Sequence, residues 1–466
     1  MLEKRLYQHA QSDIYPFHMP GHKRRLTMAN PFDIDITEIE GFDNLHHASG
    51  ILKEAQLQVS KLYGSEYVYY LVNGSTCGIL AAVSAAVSRG GKILVARNSH
   101  RAVYNAIYLR QLRPEYVYPQ FTNSGIQGQV TASQIEKILE QDEEIEAVLV
   151  TSPTYDGVVS DIKKIADTVH RHKIPLIVDE AHGAHFGFHP SFPENATNLG
   201  ADLVIMSTHK TLPAFTQTAL LHLCSERVSR TAIERYLSIY ETSSPSYLLM
   251  AGINRCMCMI EKDGEFYFKE YDRNLKAFYQ SVNGLKNLHV ITRKDFTKEE
   301  AWDFDIGKIL TETGGYVTGA VLQEILLCRY GLQMEMACGN YVTAMTSILD
   351  EPSGFERLSQ ALHELDGEWK DREKIPVITP EEIYRKPRKV LELFEAAEAA
   401  QEEVLFSEAC GKIAADEIHL YPPGIPVIVP GEQLDAQLIE AVERCLAQGL
   451  AVEGLSEQMR INIVKM

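Results

Sequence analysis

No stretch of this 466-residue chain approaches the roughly 20 apolar residues of a membrane span. The opening residues, Met1-Leu2-Glu3-Lys4-Arg5-Leu6, lack the apolar core of a secretory signal, so a cytoplasmic protein with no membrane partner is expected. Basic residues are in deficit, 45 Lys and Arg against 63 Asp and Glu, for a net charge of −18. That argues against a nucleic-acid partner, because phosphate binding needs basic patches. The 8 cysteines contain no Cys-x-x-Cys pair. Cys256 and Cys258, two apart, would point to nearly opposite sides of a helix, so reduced core cysteines are expected rather than a zinc or redox site. A Gly-x-x-x-x-Gly-Lys phosphate loop and a His-Glu-x-x-His zinc motif are also missing. His182, His185 and His189 cluster with Asp179 and Glu180, but Gly183 and Gly187 disfavour one continuous helix of ligands, and no metal is expected.

Length exceeds the roughly 250–300 residues at which one core stops growing, and the 45% hydrophobic and 23% charged content is that of an ordinary globular protein. We divide the chain into an arm (1–60), a large α/β domain (61–290) and a smaller α+β domain (291–466). The arm, with Pro16, Pro20, Gly21 and Pro31 and little periodicity, is expected to wrap a neighbouring subunit or edge an active site rather than fill its own core. In 61–290, strand-like runs at Tyr67–Val72, Lys92–Ala96, Tyr116–Tyr118, Ala147–Thr151, Ile174–Asp179 and Leu203–Ser207 alternate with helix-like Gly78–Ser88, His100–Leu112, Thr131–Leu139 and Ile162–His172. That order predicts a mainly parallel sheet covered on both faces, with ligands at the carboxyl ends of its strands. Beyond it, Gly315–Tyr330 and the Ala- and Glu-rich Lys389–Phe406 read as helices, and Tyr421–Glu432 as an extended loop and strand.

Four pieces sit where a ligand would bind. Asn73-Gly74-Ser75-Thr76-Cys77-Gly78 follows one strand and opens a helix, which suits either a plain turn or an anion cup. His100, after Lys92–Ala96, suits a helix cap or a ring-stacking imidazole. Asp179 ends an apolar run, with small Ala181 beside it. Ser207-Thr208-His209-Lys210 follows another such run. A lysine there can condense with a carbonyl cofactor while Ser207 and His209 hold a phosphate, and a carboxylate at 179 can keep a pyridine nitrogen protonated. Taken together the pieces point to pyridoxal 5'-phosphate.

These segments resemble the ornithine, lysine and arginine decarboxylases of pyridoxal-phosphate fold-type I, in a compact form without their N-terminal wing domain. The resemblance rests also on His18-Met19-Pro20-Gly21-His22-Lys23, Asp35-Ile36-Thr37-Glu38, Phe42-Asp43-Asn44-Leu45-His46-His47, Thr154-Tyr155-Asp156-Gly157, Asp179-Glu180-Ala181-His182-Gly183-Ala184-His185, Ser243-Ser244-Pro245-Ser246-Tyr247 and Tyr421-Pro422-Pro423-Gly424-Ile425-Pro426. It implies an aspartate-aminotransferase-like fold with a seven-stranded sheet. It also implies Lys210 as the Schiff-base lysine, Asp179 as the pyridinium partner, and His100 and Ala181 on the two ring faces. Gly74, Ser75, Thr76, His182, Ser207 and His209 complete the cofactor site, and Ser243 and Ser244 reach the phosphate of a neighbouring subunit in a homodimer, with higher assemblies open. The family places a glycine shortly after Pro-Gly-His-Lys, where this chain has Arg24-Arg25. The implied reaction is α-decarboxylation of a basic amino acid, arginine favoured over lysine and ornithine, in polyamine metabolism, with His209, Lys210 or His100 returning the proton to Cα. Glu432, Asp43 and Glu241 are candidates for the substrate's distal cation. The rivals are another fold-type I enzyme, an aminotransferase or lyase, and a non-catalytic decarboxylase-like regulator.

Overall fold

A computed structural model describes residues 2–27, 30–420 and 424–465. Its centre is a seven-stranded sheet. The strands are β1 (Tyr67–Leu71), β2 (Lys92–Ala96), β3 (Arg113–Val117), β4 (Ile145–Thr151), β5 (Leu176–Asp179), β6 (Leu203–Met206) and β7 (Ala219–Leu223), in the spatial order β1-β7-β6-β5-β4-β2-β3. Neighbours from β6 to β3 pair in parallel, and β7 runs antiparallel to both β6 and β1.

The inner strands β5 and β6, Leu176-Ile177-Val178 and Leu203–Met206, are apolar and buried because both faces are covered. Alternate residues serve opposite cores. Leu94, Ala96, Val148, Val150, Val178, Val204 and Met206 join one core with the helices Ala132–Leu139, Ile162–Arg171 and Tyr247–Ser281. Ile93, Val95, Ala147, Leu149, Ile177, Leu203 and Ile205 join another with Gly74–Ala86, Arg101–Arg110 and Arg230–Tyr240. A one-residue slip of any strand would exchange these two sets, so the register is firmly specified.

After residue 288 the chain forms a four-stranded antiparallel sheet in the order His289–Val290, Lys308–Glu312, Tyr341–Met345, Met336–Cys338. A separate apolar core follows between Ile378 and Ile463, centred on the helix Ala436–Ala447.

Three expectations are corrected. Lys389–Phe406 is not one helix: Leu393–Glu398 is helical, but Gln401–Leu405 is a strand antiparallel to Arg460–Val464. The helix propensity of Ala and Glu yields there to the offer of a complete backbone ladder. The arm does enter this chain's own core, because Tyr15–Phe17 pairs in parallel with Leu332–Met334 and Phe17 is fully buried against Phe355. The cysteines are free, but only Cys77, Cys256, Cys338 and Cys445 are buried. Cys328, on an outward position of Gly319–Tyr330, and Cys410, in a turn, are exposed. Tyr421, Pro422 and Pro423 of the extended segment lie outside the described residues, while Ile425–Ile428 is a strand as expected.

Candidate active site

Loops that leave the carboxyl ends of β1, β2, β5 and β6 carry the predicted residues. Asp179 is the last residue of β5, in register with Thr151 of β4 and Ile205 of β6. It is 2% exposed, and its Oδ1 accepts the Ala181 N–H at 3.1 Å. Burial raises its pKa and Lys210 opposes the rise. Lys210 lies on the short helical turn Thr208–Thr211 directly after β6, with Ser207 as the capping position. Burial lowers the pKa of its amine, against the pull of Asp179 and Glu335. The amine lies 3.0 Å from Nε2 of His182.

The anion cup opens between β1 and the helix Gly74–Ala86. Gly74 has φ +75°, and a Cβ there would meet nothing within 4 Å, so the backbone borders open space. Asn73 gives the helix no side-chain cap, which leaves the first N–H groups of the helix available to an anion. Ser207 donates to the Ser75 hydroxyl at 2.9 Å, and Thr76 is exposed at the same mouth. His209 donates from Nδ1 to the Thr218 carbonyl at 2.9 Å. Burial takes its pKa down to about 4, so Nε2 holds a lone pair until a neighbouring anion raises that value.

His100 caps the helix Arg101–Arg110, accepting the Ala102 N–H on Nδ1 at 3.2 Å. The cap leaves the single proton of the neutral ring on Nε2. Burial first, then Lys210 and Arg101, depress its pKa to about 3. The capping and ring-stacking roles are therefore compatible, because the cap orients the ring. Ala181 is buried beside Asp179. His182 lies between two lysines and His185 faces Asp305 at 3.2 Å. Ser243 and Ser244 are exposed in the loop before Tyr247–Ser281, and no hydrogen bond joins them to the groups above.

Three residues outside the sequence-derived set belong here. Lys308, 1% exposed, opens the strand Lys308–Glu312 and places Nζ 2.8 Å from Nδ1 of His182. Glu335 accepts the Tyr155 hydroxyl at 2.6 Å and the Met19 N–H at 2.8 Å, and its charge favours the protonated forms of Lys210 and Lys308. The Tyr155 ring lies 4.7 Å from that of His182. A lysine directly before the apolar pair Ile309-Leu310 and an acid between two methionines are the sequence signals that mark Lys308 and Glu335.

The arm reaches the loop that carries His209 and Lys210. The Gly21 N–H donates to the His209 carbonyl at 2.8 Å, and Ser347 donates to the Gly21 carbonyl at 2.6 Å. A Cβ on Gly21 would lie 2.7 Å from the Leu212 carbonyl oxygen, too close without backbone movement. Gly21→Ala should therefore cost about 1–3 kcal/mol, read as a lower denaturant midpoint. An unchanged midpoint would mean that the loop is free to move. Arg24, the first residue after the Pro-Gly-His-Lys segment, adopts φ +61°, and Lys23 before it φ +50°. The strain is offset by bonds from Arg24 to the carbonyls of His9 and Ile14, and from Lys23 to those of Pro16, His18 and Met345. Lys23 also pairs with buried Asp350 at 3.6 Å.

The three acids considered for the distal cation are committed elsewhere. Glu432 pairs with Arg97 at 2.9 Å, both buried. Asp43 accepts the N–H groups of Asn44, Ser49, Gly50 and Leu52. Glu241 accepts those of Val72 and Asn73. Each satisfies backbone donors or a buried cation that would otherwise be unpaired.

Among the described residues no helix is long and apolar enough to cross a membrane. The fold is shared with the constitutive lysine decarboxylase of Escherichia coli (TM-score 0.77, 18% identity, 99% of this chain and 81% of that one). It is shared also with a ureidoglycine-glyoxylate aminotransferase of Bacillus subtilis (TM-score 0.56, 12% identity, 78% and 89%). The expected fold-type I architecture is thereby borne out. In sequence, the chain is 34% identical to the uncharacterized protein YaaO of Bacillus subtilis, over 97% of this chain and 95% of that protein. It is 28% identical to an arginine decarboxylase of Bacillus anthracis, over 96% and 93%. The profile of the Orn/Lys/Arg decarboxylase major domain matches residues 2–310, and that of the Orn/Lys/Arg decarboxylase C-terminal domain matches residues 375–447. With these profiles over most of its length, and a lysine and a carboxylate at the carboxyl ends of adjacent strands, the chain belongs to the Orn/Lys/Arg decarboxylase family.

Proposed function

We propose that this enzyme uses pyridoxal 5'-phosphate to remove the α-carboxylate of a basic amino acid, arginine in preference to lysine or ornithine, in cytoplasmic polyamine synthesis. The observation that carries the reading is the placement of Lys210 and Asp179 at the carboxyl ends of adjacent parallel strands, Asp179 closing β5 and Lys210 on the turn that follows β6, where each bears on the other's proton affinity. The residues fit the cofactor. Gly74 borders open space at a helix start for the phosphate, and Asp179 offers a buried carboxylate for the ring nitrogen. Lys210 would bind the carbonyl, Ser75, Thr76, Ser207 and His209 the phosphate, and His100 and Ala181 the ring faces. When bound, the cofactor supplies an electron sink for the bond to the departing carboxylate. Lys210, His209 or His100 would return the proton, and His182, whose Nε2 lies 3.0 Å from Lys210 Nζ, would hold that amine in place.

Glu335 is the acid assigned here to the distal cation. Its carboxylate is fixed by two hydrogen bonds and already acts on the Lys210 amine. Loss of a charge-assisted hydrogen bond costs about 1.5–3 kcal/mol, so Glu335→Gln should raise KM roughly tenfold to a hundredfold. An unchanged KM would place the cation elsewhere. A homodimer completes the reading. It is supported by the exposed apolar side chains of Leu2, Leu6, Phe32, Ile39, Phe42 and Leu57, and by the exposure of Ser243 and Ser244, free to reach a second copy.

The test is a panel of arginine, lysine and ornithine with the cofactor-loaded enzyme, with and without a keto acid, reading amine by mass and CO2 release. One amine per CO2 from a basic amino acid is expected. Transfer of the amino group to the keto acid, or no product from any of the three, would overturn the proposal.

A further inference from the structure

We infer that Lys308, acting through His182, holds the amine of Lys210 unprotonated in the cofactor-free enzyme. This rests on the reading of Lys210 as the carbonyl-binding amine and adds a positioning residue to it. His182 is 6% exposed and is bracketed by two amines, Lys308 Nζ at 2.8 Å on Nδ1 and Lys210 Nζ at 3.0 Å on Nε2. A neutral imidazole has one N–H and one lone pair, so it accepts from one amine and donates to the other. The amine that accepts from an N–H must itself have a free lone pair. Two ammonium groups on one neutral ring would leave one N–H pointing at another.

The surroundings decide which amine keeps its proton. Lys308 faces Asp305, Glu335 and Asp156, with the Tyr155 ring 5.4 Å from its Nζ. Asp305 is itself held ionised: burial pushes it up, but His185 and Lys308 outweigh this. Lys210 faces Asp179 and Glu335, and on its other side the neutral rings of His182, His100 and His209. Lys308 thus has the greater acidic support, which opposes the burial that disfavours both ammonium groups. The ammonium of Lys308 donates to Nδ1, the Nε2–H of His182 donates to Lys210, and Lys210 presents its lone pair. Burial, partly offset by Asp305 and Glu335, brings Lys308 down to about 8, which leaves it mostly protonated at neutral pH.

The arrangement answers a chemical need. An ordinary lysine, with a pKa of about 10.4, is almost wholly protonated at pH 7 and attacks a carbonyl slowly. A lysine held neutral by its neighbours does not wait for a rare proton loss.

The test is reductive methylation of cofactor-free enzyme with formaldehyde and a borane across a pH series, with Lys210 labelling read by peptide mass. Wild-type Lys210 should react with a midpoint well below the ordinary value of about 10.4. Lys308→Met, which removes both charge and donor, should raise that midpoint by about one unit or more, slowing labelling at pH 7 roughly tenfold. His182→Asn should raise it similarly, while Lys308→Arg, which keeps both charge and donor, should stay near wild type. A wild-type midpoint at the ordinary lysine value overturns the inference whether or not the variants fold. So does a folded Lys308→Met with the wild-type midpoint. No amino acid or cofactor enters the assay, so its outcome is independent of whether the enzyme decarboxylates anything.

Discussion

Replacing Lys210 by alanine should abolish amine production, by a factor on the order of 10⁴ or more, while the chain stays folded. The two halves of the expectation have separate causes. Lys210 is the lysine that follows β6 beside the strand of Asp179, and the nearby Lys308 is held on the far nitrogen of His182, so no neighbouring amine should take its place. The fold loses little, because burial disfavours the charged amine at neutral pH. A lysine whose folded pKa is depressed binds fewer protons folded than unfolded, so below the ordinary lysine value it lowers stability. Cofactor-free Lys210→Ala should therefore match or exceed wild type in stability at pH 7. The gain should fade as pH rises toward about 10.4, where the unfolded chain also gives up its proton. Denaturant midpoints at several pH values check this. A variant that kept wild-type turnover, or that unfolded at neutral pH, would contradict the assignment.

Glu432→Ala should be the most damaging change away from the reacting atoms, at about 3–5 kcal/mol of stability. Arg97 is buried three residues before His100. Its guanidinium donates to Glu432 at 2.9 Å, to the Pro426 carbonyl at 2.7 Å and to the Tyr104 hydroxyl at 3.1 Å. It also lies over the rings of Tyr104 and Tyr116. Removing the carboxylate strands this cation in the interior and leaves the Val429 N–H without its 2.9 Å acceptor. The pair ties the C-terminal segment to the end of β2, so its loss also loosens the seat of His100. A double variant, Arg97→Met with Glu432→Leu, removes both charges together and should recover most of the loss. A drop below about 1 kcal/mol for Glu432→Ala would show that the cation finds water.

Much of this was legible in the chain itself. Short apolar runs between helical stretches gave most of the parallel sheet, because a strand buried on both faces has no polar phase to hide it. β7 is not legible in this way, since Ala219–Leu223 is short and unpunctuated, and its antiparallel direction depends on β1 and β6. Nor is the 35-residue helix Tyr247–Ser281, whose charges are dense enough to blur the apolar stripe. Lys210, Asp179, His100 and the Gly74–Thr76 turn were readable because they sit directly after strands. Lys308 comes from the four-stranded sheet and Glu335 from the link between Leu332–Met334 and Met336–Cys338, and their approach to His182 and Lys210 is a product of tertiary packing that spacing does not encode. The same holds in reverse for Glu432, Asp43 and Glu241. As bare acids they suit either a cation acceptor or a structural role, and their backbone and arginine partners are what tertiary packing adds.

The most direct test joins cofactor to residue. Enzyme mixed with pyridoxal phosphate, reduced with borohydride and digested should carry the cofactor's mass on the peptide that contains Lys210. Asp179→Asn should weaken the loading without moving it to another lysine. A label on Lys308, on Lys23 or on no lysine at all would contradict the account at its root.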